Sequence, residues 1–150
     1  MKIKNVIPLI SIAILLLLSS CRNQEMPIPE EVQQLGYIYN FNADDMKFDF
    51  DVIEWINSSD TERIKELNLD PDNDMPNGFY IYNPNLSKRA YELSNNTFYE
   101  IIDWEQNGEL TVIDIDGFAN HINRFDENKI LCWITTNKGS IIRISERYVP

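Results

Sequence analysis

The sequence predicts an α+β fold: a single domain whose mainly antiparallel β-sheet is built from hairpins and accompanied by two short helices. Stretches of alternating aromatic and β-branched residues flank turn residues, which is typical of hairpins. Two other segments carry apolar residues at helical spacing. No strand–helix–strand rhythm repeats along the chain, so a parallel α/β sheet is not expected.

The first hairpin is predicted from residues 36–42 (GYIYNFN) and 47–56 (KFDFDVIEWI), with the turn at 43–46. The second of these strands alternates apolar and charged residues, so it should bury one face and expose the other. Its apolar face is formed by Phe48, Phe50 and Val52, and its polar face by Lys47, Asp49 and Asp51.

The middle of the chain supplies the first helix and three more strands. A short amphipathic helix is predicted at 61–69, where apolar residues recur among charged ones. Residues 69–78 contain two prolines and an Asn-Gly pair and are predicted to be a loop. A strand follows at 78–83 (GFYIYN), and residues 89–93 and 97–103 are predicted to form a second hairpin.

The last third of the chain completes the predicted fold. A second helix, capped by Thr111 or Asp114, is expected to run to about Phe125 because its apolar residues recur at helical spacing. The final hairpin pairs residues 130–136 with 140–147.

The charge balance excludes several function classes. The chain of 150 residues carries 24 acidic and 13 basic side chains, a net charge of −11. Residues 1–20 hold two lysines and no acid, which leaves −13 for residues 21–150. Such a protein repels phosphate backbones, so no nucleic-acid partner is expected. No long apolar run follows residue 20, which excludes a multi-span membrane protein.

The N-terminus has the layout of a secretory signal peptide. Lys2 and Lys4 form a positive segment, residues 6–18 are mostly apolar, and small residues follow. The apolar run is shorter than the ~20 residues that a bilayer span needs. Its ending, Leu18-Ser19-Ser20-Cys21, resembles the bacterial lipobox.

The lipobox resemblance implies cleavage between Ser20 and Cys21 and a diacylglycerol on the Cys21 thiol. An ordinary signal peptide followed by a coincidental cysteine is the alternative. The resulting organisation is a lipoprotein signal peptide at 1–20, a lipidated cysteine with a flexible tether at 21–34, and the α+β domain at 35–150. Membrane lipid is therefore an expected partner, reached through Cys21.

The expected location is outside the cytoplasm, on the outer leaflet of the cell membrane. Arg22, and not an aspartate, follows Cys21, so the inner-membrane retention signal of Gram-negative lipoproteins is absent. The composition is rich in asparagine and isoleucine and poor in alanine, which fits a Gram-positive host with a single membrane.

The predicted loop contains a candidate calcium site. Asp70, Asp72 and Asp74 have the D-x-D-x-D spacing that opens a calcium-binding loop, where alternate carboxylates supply hard oxygen ligands. Met75 stands where the turn glycine belongs and Ile81 where the bidentate glutamate belongs, so the full motif is not met. Calcium is thus the one cofactor considered, and a solvated acidic loop is the alternative.

No catalytic residue is assigned from the sequence. His121 is the only histidine, no serine lies in G-x-S-x-G, and His121 is expected on the polar surface of the second helix. Asp114 and Asp116 form a possible carboxylate pair, although capping of the helix is the simpler role. Cys132 lies in an apolar run and is expected to be a buried hydrophobic residue.

Aromatic residues are the remaining candidates for binding. Tyr80 and Tyr82 share one face of a predicted strand, and aromatic side chains anchor partners at low entropy cost. The alternative assigns the aromatics to the core and the sheet surface. The tryptophans Trp55, Trp104 and Trp133 are expected in the core.

The C-terminal half resembles a group of small secreted or lipid-anchored proteins of Gram-positive bacteria. Residues 133–150, with Trp133-Ile134-Thr135, Gly139 and Ile144-x-Glu146-x-Tyr148-Val149-Pro150, resemble that group's ending W-[IV]-T-x-x-x-G-x-[IV]-x-x-I-x-E-x-Y-[VL]-P. Residues 77–84 (NGFYIYNP) resemble its element P-N-[DG]-[FY]-Y-I-x-N. The resemblance covers residues 75–150 and implies one extracytoplasmic domain without any particular activity.

Three functions remain open on the sequence alone. The leading hypothesis is a non-enzymatic, lipid-anchored module that binds an unknown extracytoplasmic protein or ligand. The others are a small cell-envelope hydrolase that uses Asp and Glu carboxylates, with or without His121, and a calcium-dependent binding module. A concave pocket in which His121 faces acids would favour the hydrolase, whereas a flat aromatic face would favour binding.

The lipid anchor leads to the first testable prediction. Cells that express the protein and are fed radioactive palmitate should incorporate label into the wild-type chain and not into a Cys21→Ala variant, because the thiol is the attachment point. Cys132→Ala is the matched control and should retain the label. Label that persists in Cys21→Ala would refute the anchor.

Overall fold

Strands dominate the structure. The computed structural model describes residues 31–85 and 87–149, and strands account for 47% of it. Seven strands form one mixed sheet, two form a small separate sheet, and three helices accompany them, one more than predicted. The predicted signal peptide, Ser20, Cys21 and residues 21–30 of the predicted tether lie outside the described residues.

The elements follow one another in an order that alternates strands with short helices. The strands are β1 (Glu31–Asn42), β2 (Lys47–Val52), β3 (Glu54–Asn57), β4 (Phe79–Tyr82), β5 (Arg89–Glu92), β6 (Phe98–Asp103), β7 (Glu109–Ile113), β8 (Ile130–Asn137) and β9 (Ser140–Glu146). The helices are α1 (Thr61–Glu66), α2 (Pro71–Asp74) and α3 (Ile115–Ile122), and short 3₁₀ turns lie at Trp104–Gln106 and Asp126–Asn128.

The large sheet has the strand order β5-β2-β1-β8-β9-β6-β7. Its neighbours pair antiparallel except for β6 and β9, which run parallel from Phe98↔Arg143 to Glu100↔Ser145. The sheet is therefore mixed, and the prediction of a mainly antiparallel sheet is met only roughly.

β1 is the longest strand and pairs along both of its edges, with β2 and with β8. Its pairing with β8 begins at Glu31, so residues 31–34 are strand and the prediction of a tether is wrong for them. The neighbouring backbones approach closely at Gly36, where a Cβ would overlap the carbonyl of Asp51. Only glycine fits at this point.

One face of the large sheet is covered by α3. Phe118 and Ile122 of this helix are buried, and the Phe118 ring meets that of Phe41 edge to face with 5.1 Å between centroids. The other buried residues of this first cluster are Leu93, just after β5, and the sheet residues Ile38, Phe48, Phe50, Tyr99, Ile130, Cys132, Ile134, Ile141 and Ile144.

The opposite face is covered in part by the small β3–β4 sheet. Trp55 and Ile81 of this pair pack on a second cluster, whose buried residues are Leu35, Ile53 and Leu131. A third cluster, formed by Ile56, Ile64 and Met75, lies under α1 and α2. Asn83, just after β4, ties the two sheets together by donating its Nδ2–H to the buried Asp51 Oδ2 at 2.9 Å.

The predicted continuous strand at 47–56 breaks at Ile53. Ile53 donates its backbone N–H to the Leu35 carbonyl at 2.9 Å, and β3 then leaves the large sheet to pair with β4. The two side chains Asp51 and Val52 keep the predicted faces of β2, but Asp51 is buried and Val52 is exposed, so the expectation that the polar face is exposed and the apolar face buried is wrong for them. Alternation misleads here because both faces of β2 are covered.

The predicted hairpin of residues 89–93 and 97–103 is also wrong. β5 pairs with β2 at one edge of the sheet, whereas β6 lies between β9 and β7 near the other edge. Thr97 fixes the start of β6 by donating its hydroxyl to the Ile141 carbonyl at 2.9 Å. Sequence analysis predicts no strand at β7, whose apolar residues Leu110 and Val112 are exposed and so give no sign of a buried face.

The remaining predicted elements agree with the structure within a few residues. α1 starts at the predicted position but ends at Glu66, and the final hairpin is β8–β9. Asp114 caps α3 by accepting the Gly117 backbone N–H at 2.7 Å, as the capping prediction requires. The predicted loop contains the one-turn helix α2, which begins at a proline after the Asp70 cap.

The packing of α3 leads to the second testable prediction. Phe118→Ala should lower the free energy of unfolding by ~3–5 kcal/mol, because it leaves a cavity where a fully buried ring stood. Val112→Ala is the control: its side chain is 61% exposed, and the expected change is within about 0.5 kcal/mol. Urea denaturation measures both, and equal effects would contradict the role of α3 as the cover of this face.

Candidate functional site

A cavity of about 500 Å³ opens where α3 ends, β8 begins and β9 ends. Its size falls in the ~300–1,000 Å³ range of small-molecule sites. Its walls combine aromatic, basic and acidic side chains from four separate parts of the chain. We call it the C-terminal pocket, and it is lined by Tyr37, Trp104, His121, Arg124, Phe125, Asp126, Lys129, Ile130, Leu131, Glu146, Arg147, Tyr148 and Val149.

A histidine and a glutamate form one wall of the C-terminal pocket. His121 Nε2 lies 2.9 Å from Glu146 Oε2, and the two side chains are 13% and 9% exposed. Because a carboxylate only accepts, Nε2 carries the hydrogen of this bond. The prediction that His121 is a surface residue is therefore wrong. The packing of its helix neighbours Phe118 and Ile122 turns the histidine toward the end of β9.

Glu146 is also a structural acceptor. The parallel ladder between β6 and β9 ends at Glu100↔Ser145, and the next backbone donor, the Ile102 N–H, bonds Glu146 Oε2 at 2.7 Å. The carboxylate therefore takes the place of the backbone carbonyl that would accept this hydrogen bond if the ladder continued. Both bonds use Oε2, which leaves Oε1 for another donor.

Exposed aromatic rings form the rim. Trp104 is 65% exposed and Tyr148 49% exposed, and the two rings meet edge to face with centroids 5.1 Å apart. The 3₁₀ turn that carries Trp104 is capped by Asp103, which accepts the backbone N–H of Glu105. Gly108, with a φ of +79°, lies against the indole, where a Cβ would come within 3.3 Å of the ring.

Basic side chains surround the opening, and they differ in how they are paired. Lys129 donates to Glu127 at 2.8 Å, and this bond lowers the pKa of Glu127 and raises the pKa of Lys129. Arg147 places its guanidinium 5.0 Å from the Trp55 ring and has no carboxylate partner among the described residues. The Arg124 side chain makes neither an ion pair nor a hydrogen bond within residues 31–85 and 87–149.

The C-terminal pocket has none of the residue types that serve as nucleophiles in serine-, threonine- and cysteine-dependent enzymes. None of the described residues that line it is a serine, threonine or cysteine. Cys132 lies nearby but is fully buried, and burial together with the Glu146 charge raises the pKa of its thiol well above the ordinary value. This thiol therefore stays protonated, in agreement with its predicted role as a buried hydrophobic residue.

The structure places the three aspartates of the predicted calcium loop around α2. Asp70 accepts the Asp72 backbone N–H and the Asn73 side-chain amide, and these bonds lower the pKa of the Asp70 carboxyl. Asp74 accepts the backbone N–H of Asp70 at 2.7 Å. In the described part of the chain, no group of three His, Cys, Asp or Glu side chains is placed to hold a metal ion.

The structure separates the predicted aromatic candidates from the C-terminal pocket. Tyr80 and Tyr82 are half-buried against the third cluster, and Arg63 lies 5.4 Å from the Tyr82 ring centroid. The prediction that all three tryptophans are core is wrong, because Trp104 is largely exposed and Trp133 is 38% exposed. The exposed aromatic side chains are therefore found at the C-terminal pocket, on β8 (Trp133) and on β6 (Phe98).

Sequence reasoning misses most of the C-terminal pocket. Arg124 has no motif around it, Arg147 occupies an unspecified position of the quoted C-terminal motif, and the partner of His121 lies 25 residues away. One signal was available: the ending that resembles the Gram-positive group supplies Glu146, Tyr148 and Val149, all of which line the cavity.

Comparisons with known proteins add no relative. No protein-family model matches the chain, and neither a curated protein nor a solved structure is significantly similar to it. Among the described residues, none of the helices has the length and apolar character needed to cross a membrane.

The double role of Glu146 leads to the third testable prediction. Glu146→Ala should lower the free energy of unfolding by ~1–3 kcal/mol, because it leaves the Ile102 N–H and His121 without their acceptor. Glu105→Ala is the matched control, since that glutamate is exposed and its side chain makes no bond to the pocket. Chemical denaturation of both variants gives the comparison, and equal stabilities would contradict the role assigned to Glu146.

Proposed function

We propose that this protein is a lipid-anchored extracytoplasmic binding module of the cell surface and that it holds a small ligand in the C-terminal pocket. Leu18-Ser19-Ser20-Cys21 supports the anchor, and residues 21–30 then separate the first strand from the membrane. The protein binds its ligand and is not primarily an enzyme.

The observation that carries the proposal is the composition of the pocket walls. An open cavity of about 500 Å³ combines exposed rings, unpaired guanidiniums and a carboxylate with a free oxygen. Apolar walls with a few placed polar groups are typical of ligand sites. Exposed aromatic residues beside arginines are also the side chains that dominate binding energy in recognition surfaces.

A hydrolase is the second candidate, and one specific observation favours it. His121 faces Glu146 in a concave pocket, which is the arrangement that distinguishes an enzyme from a flat binding face. In such an enzyme His121 would be the general base that activates water, and Glu146 would orient its imidazole. We favour binding because the walls formed by described residues offer no serine, threonine or cysteine nucleophile and because Glu146 is engaged by the Ile102 backbone.

A ligand panel separates the two functions and is the fourth testable prediction. Neutral sugars, anionic sugars, amino acids and short acidic peptides are added in turn to the isotope-labelled protein, and NMR follows the Trp104 indole and the His121 ring. Binding by the module should shift these signals for at least one class without the appearance of product signals in the ligand's spectrum. Product signals that vanish in His121→Ala would establish the hydrolase instead.

Trp133 provides the internal control for that panel. Its indole belongs to β8 and does not line the C-terminal pocket, so it should respond less than Trp104 to a ligand in the pocket. If no class of compound moves the Trp104 and His121 signals, the proposed binding function is wrong.

A further inference from the structure

We propose that the ligand of the C-terminal pocket is an anionic sugar, with a carboxylate or phosphate held by Arg124 and Arg147 and a ring face held by Trp104. This inference rests on the proposed function, since it names the chemical class that the same pocket takes. It is carried by three features of the walls: the state of the arginines, the aromatic rim and the polar His121–Glu146 pair.

The arginines are unpaired in a protein that has acids in excess. The chain carries 24 acidic and 13 basic side chains, and Arg63 and Arg143 both bond glutamates at 2.8 Å. Arg124 and Arg147 line the pocket without a carboxylate partner among the described residues. A guanidinium presents planar donors that match a carboxylate or a phosphate, so these two arginines are open for an anion.

The acidic side chains of the pocket leave the arginines open. Glu146 is bonded to His121 and to the Ile102 N–H, so part of its charge is already balanced by donors. Asp126 lines the cavity and makes no ion pair within the described ranges. Lys129 is neutralised by Glu127, which leaves the two guanidiniums as the cationic groups that a ligand can engage.

The rest of the pocket fits a sugar ring better than a purely aromatic or aliphatic anion. Trp104 exposes 65% of its surface, and the C–H face of a sugar packs on such an indole. Glu146 Oε1 is available to accept a hydroxyl hydrogen, which a hydrocarbon ring does not have. Rim and wall together therefore require a ligand that has an apolar face and hydroxyl groups on the same ring.

An acidic peptide is the competing ligand, and the structure disfavours it. An extended peptide docks along a strand edge or a long groove. The described groups gather instead around one cavity at the ends of α3, β8 and β9, so they present no line of repeated subsites.

The fifth testable prediction measures the affinity of the full chain in detergent micelles for four probes. D-glucuronate and D-glucose 6-phosphate carry the two anions, D-glucose is the neutral ring, and benzoate is an anion without hydroxyls. Either or both anionic sugars should bind more tightly than glucose and benzoate, and their order identifies carboxylate or phosphate as the preferred group. Affinities are read from the Trp104 indole signal.

Three variants test the contacts one by one. Arg124→Gln and Arg147→Gln should each lower the affinity for the anionic sugar by roughly 10- to 100-fold, since a charged hydrogen bond is lost. The affinity for glucose should change little. Arg89→Gln removes the same charge on β5, outside the pocket, and should have no such effect. A Trp104→Phe variant, monitored by His121, should weaken charged and neutral sugars alike because the indole platform is reduced.

The outcomes separate this inference from the proposed function. Equal affinity for glucose and the anionic sugars, equal behaviour of Arg124→Gln and Arg89→Gln, or no binding of either anionic probe would each overturn the inference. The pocket would remain a binding site if other compounds of the wider panel still moved the Trp104 and His121 signals. Benzoate binding as tightly as glucuronate would overturn the assignment of a sugar.

Discussion

Burial of the central strands on both faces is the constraint on which the rest of the structure depends. β1 and β8 direct apolar side chains to both sides of the large sheet, and exposure of either side to water would be unfavourable. α3 covers one side and the β3–β4 pair covers part of the other. The break at Ile53 follows from this requirement, because a straight strand over residues 47–56 would leave the second face uncovered.

The position of α3 also creates the C-terminal pocket. Its buried residues fix the helix on the sheet, and His121 is thereby held at the end of β9 beside Glu146. At the same place the parallel ladder of β6 and β9 stops, and the Glu146 carboxylate accepts the Ile102 N–H in place of a backbone carbonyl. A helix end, a ladder end and the last residues of the chain therefore meet without filling the space between them.

The overall charge sets a limit on how the proposed anionic ligand would be recognised. A net charge of −11 attracts cations and repels anions at long range. At physiological salt these fields decay over ~8 Å, so under the proposal the attraction comes from the two arginines beside the cavity. The same charge offers no attraction to anionic lipids, which leaves a lipid on Cys21 as the means of attachment in the proposed function.

The sequence by itself determined the local elements: the first strands and their turn, the start of α1, the Asp114 cap of α3 and the final hairpin, because neighbouring residues decide periodicity, capping and turns. Only the tertiary structure decided which distant strands pair, since β5 pairs with β2 and β6 pairs with β9, both far along the chain. It also decided the site. His121 and Trp104 have ordinary local sequences. His121 is buried beside Glu146 and Trp104 is exposed beside Tyr148, and both placements depend on distant segments that no local pattern encodes.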